Sequence, residues 1–255
     1  MTMRVVRFTS PDRRPAYGLL EDKIVYTLDG GPFAAISPGR PVGSLDALRL
    51  VAPCEPSKII AIGCNYLEHA AEHGAEVPPE PLIFLKPPSS IIGPAAPIVL
   101  PSQSKQVEHE AELVAVIGRR GSQIDRRSAR DYLLGFTCGN DVTARDLQRA
   151  DGQWTRSKGF DTFCPLGPWI ETDLDSTDVG VVARVNGEMR QHGHTPDMIY
   201  DLSTLISYIS HVMTLEPGDV IMTGTPAGVG PLIPGDIVEV EVEGIGILRN
   251  PVVGQ

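Results

Sequence analysis

A chain of 255 residues, 42% of them hydrophobic, is long enough to bury a substantial core, as one large domain or as a large domain with a small one. Its formal net charge of −10, without any cluster of Lys and Arg, excludes phosphate-backbone binding as its purpose, so no nucleic-acid partner is expected. No run approaches the roughly 20 apolar residues of a membrane span, the start MTMRVVRFTS lacks the apolar core of a secretory signal, and Cys54, Cys64, Cys138 and Cys164 form neither a CxxC pair nor a compact framework. The expectation is a cytoplasmic protein with reduced thiols and no membrane partner.

Two short alternating segments, 4–9 and 23–27, are separated by turn residues at 12–15 (Asp-Arg-Arg-Pro), 30–31 (Gly-Gly) and 38–39 (Pro-Gly), so residues 1–55 predict a small β-rich amino-terminal domain. The proline-bearing stretch 53–57 reads as a linker. An apolar strand at 58–62 then opens a second domain, 56–255, and a helical pattern follows at 65–73. If that helix starts at Asn65, His69 and Glu72 stand at i and i+3 on one face, within hydrogen-bonding reach. A carboxylate beside an imidazole raises its basicity, which suits a general base taking a proton from water near neutral pH. A solvated surface pair is the competing reading.

The segment 107–117, VEHEAELVAVI, predicts a buried strand in which alternate side chains share a face. Glu110 and Glu112 therefore point the same way, and Asp141 follows in a glycine-flanked turn. Two carboxylates on one face of an apolar strand repel each other and lose hydration, which is costly unless a cation compensates. Carboxylate-only ligation suits Mg²⁺ or Mn²⁺. Glu108 has the same parity, which fits a solvated outer face equally well.

Farther along, 126–134 predicts a helix with Asp125 near its start. Arg145 and Gln148 share the face of Asp141 if that segment is helical; an exposed polar helix is the alternative. Lys158 stands between Trp154 and Phe160, either partly desolvated and holding an anionic oxygen or snorkelling over Trp154. Another helix is predicted at 203–213 and strands at 220–222 and 237–242, with Pro-Gly-Asp turns at 217–219 and 234–236 that do not amount to a repeat. The glycines of loop 224–230, Gly-Thr-Pro-Ala-Gly-Val-Gly, permit close backbone approach to a ligand carboxylate. The loop lacks the Gly-Lys-Ser/Thr ending of a Walker A motif, and a plain hairpin is an equal reading. With 26 Gly, 23 Pro and few helices, the fold class is α+β and β-dominated.

Together these segments resemble the fumarylacetoacetate hydrolase superfamily over about 58–253, in particular bacterial members similar to acylpyruvases and 2-hydroxyhepta-2,4-diene-1,7-dioate isomerases. The resemblance is carried by Gly-x-Asn-Tyr-x-x-His-x-x-Glu at 63–72, Glu-x-Glu at 110–112 followed by Asp141, Arg-Asp-x-Gln at 145–148, Lys-x-Phe-Asp-Thr at 158–162 and Gly-Thr-Pro-x-Gly-Val-Gly at 224–230. Each motif is weak alone, whereas their order and spacing are specific. The first fifty residues match no motif.

The resemblance implies a mixed β-sandwich or β-roll, a homodimer, and Mg²⁺ or Mn²⁺ held by Glu110, Glu112 and Asp141. It implies a small 2-oxo acid substrate, often with a second carbonyl at C4, that chelates the metal through its carboxylate and 2-oxo oxygens. His69 and Glu72 would activate water, Lys158 would stabilise an enolate or anionic oxygen, and Tyr66, Arg145, Gln148 and Thr225 would bind and orient substrate, its carboxylates included. Hydrolytic cleavage of a carbon–carbon bond in acylpyruvates, with pyruvate enolate as the leaving group, is the first expectation. Oxaloacetate-type decarboxylation, 2-hydroxyhepta-2,4-diene-1,7-dioate isomerisation and 5-oxopent-3-ene-1,2,5-tricarboxylate decarboxylation on the same metal site are the alternatives. A non-catalytic metal-binding scaffold is a further one, against which the joint presence of His69, Glu72 and Lys158 argues.

Overall fold

Alternating apolar patterns punctuated by Gly and Pro give a strand-rich chain, 44% strand against 18% helix, in the computed structural model, which describes residues 3–9, 14–28, 31–34, 36–72, 74 and 77–255. Asp12 and Arg13 of the first expected turn, Gly30 of the second and His73 at the end of the expected helix lie outside the described residues. Among the described residues the largest sheet has twelve strands. Its main path runs Pro38–Ser44, Ile24–Leu28, Ala16–Glu21, Arg4–Thr9, Cys164–Glu171, Leu133–Asn140, Ala111–Ile117, Val220–Met222, Ile59–Gly63 and Leu82–Lys86. A five-stranded sheet orders Glu188–His194, Gly180–Val185, Ile237–Val242, Gly246–Gly254 and Ile98–Leu100, and a small one joins Thr143–Ala144, Val107–His109 and Gly230–Pro231.

The strand Ala111–Ile117 is buried throughout. Its odd-numbered residues Ala111, Leu113, Ala115 and Ile117 pack with Val181, Ala183, Val240 and Val242 of the five-stranded sheet and with Leu205, Ile206 and Ile209 of the helix Leu202–Val212. Val114 and Val116, on the other face, pack with Val5, Leu19, Ile59, Leu166 and Met222. Side chains from successive strands of the large sheet thus form one cluster, from Leu19 to Ile59. Being covered on both faces, this strand has the continuous apolar run of a fully buried element.

The amino-terminal strands hydrogen-bond to the main sheet, Arg4 and Val5 pairing antiparallel with Glu171 and Ile170. Three local expectations are corrected. Residues 38–44, expected to begin with a turn, form a strand, Pro38–Ser44, tolerated because it sits at the end of the sheet's order where a missing N–H is harmless. The stretch 53–57 is not a free linker: Cys54 is buried, and the buried carboxylate of Asp219 in the 217–219 turn accepts from Ser57 Oγ at 2.7 Å and from the amides of Ser57 and Lys58. The expected helix at 126–134 is a 3₁₀ turn, Arg126–Tyr132, capped by the Asp125 carboxylate on the Arg127 amide, and Leu133 already belongs to the next strand. Its apolar residues serve a strand partner instead of a helix face. The expected helices at 65–73 and 203–213 are Leu67–Glu72 and Leu202–Val212.

Candidate active site

Topology brings the chemistry-bearing segments to one edge of the large sheet. Ile59–Gly63 and Val220–Met222 run parallel, Ala111–Ile117 runs antiparallel to Val220–Met222, and Leu133–Asn140 antiparallel to Ala111–Ile117. The ends of three strands and the start of the fourth therefore coincide. From that edge emerge Cys64 to His69, loop 224–230, Glu110 with Glu112, and Asp141. At Glu110 the expected continuous strand breaks: Val107–His109 belongs to the small sheet and Ala111–Ile117 to the large one. The break is held by Asn140 Oδ1, which accepts from the Glu110 amide at 2.9 Å, and by the Glu110 carbonyl, which accepts from the Asp141 amide at 2.9 Å.

Glu110, Glu112 and Asp141 are buried, and each offers an oxygen within 4.8 Å of the others. Lys158 Nζ donates to Glu110 Oε2 at 2.8 Å and Asp141 Oδ2 at 2.6 Å, and Lys86 Nζ donates to Asp141 Oδ1. Arg145 donates from Nε to Glu108 Oε2 at 2.7 Å, from Nη2 to Glu110, and from Nη1 to Gln148 Oε1 at 2.6 Å. Burial favours the neutral carboxyl of Glu110, but the Lys158 and Arg145 charges outweigh it and hold the group well below the usual range. Glu112 goes the other way. Burial first, then the charges of Asp141 and Glu110, push it well above the ordinary carboxylate range. Lys158 is raised, because the charges of Asp141 and Glu110 outweigh the effect of burial.

Four buried carboxylates, Glu108, Glu110, Glu112 and Asp141, face three buried cations, Lys86, Arg145 and Lys158. One negative charge lacks a partner, and the elevated Glu112 shows where. A hard divalent cation fits this set, since every donor is an oxygen and one further positive charge is missing. Glu110, Glu112 and Asp141 are the residues that would hold it.

The cavity above the carboxylates has a volume of about 220 Å³ and is lined by His69, Arg145, Gln148, Lys158 and Thr225 together with Cys64, Phe84, Arg149 and Trp154. His69 is buried, with Nδ1 3.4 Å from Glu72 Oε2, as the i, i+3 spacing predicts. Glu72 is also oriented by the Gly228 amide at 3.2 Å. Lys158 does not snorkel over Trp154; its ammonium lies 5.0 Å from the Phe84 ring centre, at the bottom of the site. Arg145 and Gln148 do reach the cavity, but not through a helix shared with Asp141: the helix Arg145–Asp151 starts only after the strand Thr143–Ala144, which pairs with Val107 and Glu108.

Tyr66 lines a neighbouring cavity of about 180 Å³ with Glu68, His192 and Asp197, and its backbone bridges to Met198 just before the helix starts. Two amides of loop 224–230 are engaged within the protein: Gly224 N–H donates to Glu112 Oε2 at 2.9 Å and Gly228 N–H to Glu72. Thr225 lines the cavity, and its hydroxyl donates to the Ala111 carbonyl at 2.8 Å. The loop glycines are needed for close approach to protein. At Gly224, with φ +101°, a Cβ would lie 2.7 Å from the Cβ of Asn65, which is itself fixed by hydrogen bonds to Thr223 and Tyr200. Gly224→Ala should therefore destabilise by about 1–3 kcal/mol, read as a lower denaturant midpoint at unchanged slope; an unchanged midpoint would refute this packing argument.

Two members of the cluster were not singled out from sequence as site residues. Glu108 orients Arg145, and its parity with Glu110 and Glu112 was the signal. Lys86 ends the apolar strand Leu82–Lys86 and carried no motif.

The elevated Glu112 has a thermodynamic consequence. A group whose folded value is raised stabilises the fold below its unfolded value, about pH 4.3, and that contribution is lost as pH rises through the folded value. Glu110, held low, behaves oppositely and loses its contribution only in acid. The metal-free protein should therefore weaken relative to the Mg²⁺-loaded protein as pH rises above the ordinary carboxylate range. Melting curves with and without saturating Mg²⁺ check this; a gap that narrows with rising pH would contradict it.

No helix among the described residues is long and apolar enough to cross a membrane. Residues 58–253 match the fumarylacetoacetate (FAA) hydrolase C-terminal family, and residues 3–53 match the Rv2993c-like N-terminal family. The mitochondrial oxaloacetate decarboxylase of Dictyostelium discoideum is 46% identical over 195 residues, covering 74% of this chain and 89% of that protein. The mitochondrial oxaloacetate tautomerase fahd2 of Xenopus laevis is 43% identical over 233 residues, covering 86% and 73%. Among solved structures, 2-hydroxyhepta-2,4-diene-1,7-dioate isomerase from Mycobacterium marinum superposes with a TM-score of 0.92 at 45% identity, covering 99% of both chains. The buried carboxylate triad, the His69–Glu72 pair and these matches along nearly the whole chain have one explanation: the chain belongs to the fumarylacetoacetate hydrolase family.

Proposed function

We propose that this chain is a divalent-cation-dependent enzyme acting on small 2-oxo acids through their enol or enolate, with oxaloacetate-type tautomerisation or decarboxylation placed ahead of acylpyruvate hydrolysis. The observation that carries the reading is the buried cluster short of one positive charge at Glu112, opening into a cavity of about 220 Å³. Glu110, Glu112 and Asp141 are the residues that would hold an Mg²⁺ or Mn²⁺ ion, which would supply Lewis-acid polarisation and positive charge at a 2-oxo group. Such an ion would change the cluster from one net negative charge to one net positive charge, which favours an anionic substrate. Lys158 and Arg145 hold Glu110 in its ionised form, and Gln148, oriented by Arg145, presents its amide to the cavity. His69 stands where it can move a proton, to or from carbon in tautomerisation or from water in hydrolysis.

The names of the relatives support putting enol chemistry first, since tautomerase, decarboxylase and isomerase all require an enol or enolate without an attacking water. Hydrolysis is favoured by a different observation, the contact between His69 and a Glu72 carboxylate oriented by Gly228. A product assay with Mg²⁺ or Mn²⁺ on oxaloacetate, 2-hydroxyhepta-2,4-dienedioate, fumarylpyruvate and simple acylpyruvates separates these. Turnover of none of them would leave the non-catalytic scaffold. A homodimer belongs to the same reading, supported by the family resemblance and checked by sedimentation equilibrium.

A further inference from the structure

Three Lys and Arg side chains among the described residues line the cavity: Arg145, Lys158 and Arg149. The first two are neutralised by carboxylates, Arg145 by Glu108 and Glu110 and Lys158 by Glu110 and Asp141. Arg149 is not. Among the described residues no carboxylate lies within ion-pair distance of it, and its hydrogen bond there is a long one, from Nη1 to the neutral Gln106 Oε1 at 3.5 Å.

The acids that could have paired with it are occupied elsewhere. Asp146, three residues before it, accepts from Ser104 Oγ at 2.6 Å and from the Lys105 amide at 2.9 Å, and Asp151 takes Arg156 Nε at 2.7 Å. Glu108 has Oε2 on Arg145 and Oε1 on Gln106 Nε2 at 2.6 Å, so what Gln106 presents to Arg149 is an amide oxygen without charge. A guanidinium has five N–H donors and keeps its charge at any pH of interest. Most of those donors are left for solvent or a ligand.

Position along the helix sets the depth. Arg145, Gln148 and Arg149 stand at i, i+3 and i+4 of Arg145–Asp151 and therefore share a face. Arg145 is buried, Gln148 half-buried and Arg149 exposed, so this face leads from the carboxylate cluster out to the mouth of the cavity. Four residues of helix advance about 6 Å, a length that a short carbon chain spans. Trp154 and Phe84 also line the cavity, packed edge to face with ring centres 5.1 Å apart, and they bring no charge. The positive charge at the mouth is thus that of Arg149.

We infer that Arg149 is a specificity-determining residue that binds the second carboxylate of a dicarboxylic 2-oxo acid whose 2-oxo acid end lies at the carboxylate cluster. The inference rests on the 2-oxo acid reading of the cavity and deepens it, because it names the end group that separates diacids such as oxaloacetate from acylpyruvates with a neutral tail.

Calorimetric titration of the Mg²⁺-loaded protein tests this with three stable probes: oxalate, which supplies only the chelating end, 2-oxoglutarate, and 2-oxopentanoate, which has a methyl group in place of the distal carboxylate. The parent should bind 2-oxoglutarate at least about tenfold more tightly than 2-oxopentanoate, the size of one charge-assisted hydrogen-bonded pair. Arg149→Gln should remove most of that ratio and leave oxalate and 2-oxopentanoate within about twofold, and Arg149→Glu should invert it. A purely structural role for Arg149 would weaken all three probes in proportion. Arg156→Gln removes a neighbouring exposed charge that does not line the cavity and should leave the ratio unchanged; an equal fall there would show a diffuse field and overturn the inference. A parent ratio near one, with oxalate bound, overturns it while leaving the 2-oxo acid reading intact. Binding of none of the three by the parent overturns the 2-oxo acid reading, and the inference with it.

Discussion

Glu112→Gln should lose the divalent cation and at least about 10²-fold of turnover on whichever 2-oxo acid the parent processes, since even outer-shell changes at metal sites reach that size. The substitution keeps the shape of the side chain and leaves a carbonyl oxygen able to accept from the Gly224 amide. What it removes is the one carboxylate of the cluster that forms no ion pair with a cation among the described residues. The metal-free variant should consequently be at least as stable as the metal-free parent, while its activity is lost. A general unfolding defect would move both in the same direction. Asp141→Ala is a poorer probe, because it strands the ammoniums of Lys86 and Lys158, both nearly inaccessible to solvent, and breaking a buried pair costs about 3–5 kcal/mol. Mn²⁺ titration calorimetry and steady-state assays before and after chelation read the outcome. Parent-like activity in Glu112→Gln, or in chelated parent protein, would remove the metal assignment.

His69→Ala should divide the candidate reactions. General acid–base catalysis typically contributes about 10²–10⁴-fold, so acylpyruvate hydrolysis, which depends on a base to deprotonate water, should fall by at least about 10²-fold. Decarboxylation of oxaloacetate depends mainly on withdrawal of charge at the cation site and should fall far less. Tautomerisation, which moves a proton on carbon, should follow the larger loss if His69 is its base. Glu72→Gln should give a smaller loss in the same direction, because Glu72 is partly exposed and acts only through the imidazole. Oxalate binding should survive both substitutions, which distinguishes lost chemistry from a collapsed site. Acylpyruvate cleavage within a few-fold of the parent in His69→Ala would exclude water activation by this pair.

Much of the site was legible along the chain because its signals are local. Period-two alternation put Glu108, Glu110 and Glu112 on one face, and the structure brings all three to the same cluster. The i, i+3 spacing brought His69 to Glu72 within a single helical turn, and Asp125, expected near an element start, caps the Arg127 amide. The β-dominated class followed from Gly, Pro and alternation. These features depend on interactions between residues a few positions apart, which sequence spacing determines directly.

What only the tertiary structure decided are the long-range pairings. Lys86 and Asp141 are 55 positions apart, and Gln191 and Thr225 are 34; no periodicity connects them, and their meeting depends on which strand ends the sheet order places together. Burial likewise belongs to the fold: Glu108 looked like a solvated outer face until the small sheet and Arg145 covered it. Loop 224–230 reads as an open cradle for a carboxylate, but two of its amides are already held by Glu112 and Glu72, residues brought to it from elsewhere in the chain. Sequence could name the chemical groups available to this site. Their partners and charge states were fixed by contacts that exist only once the strands are paired.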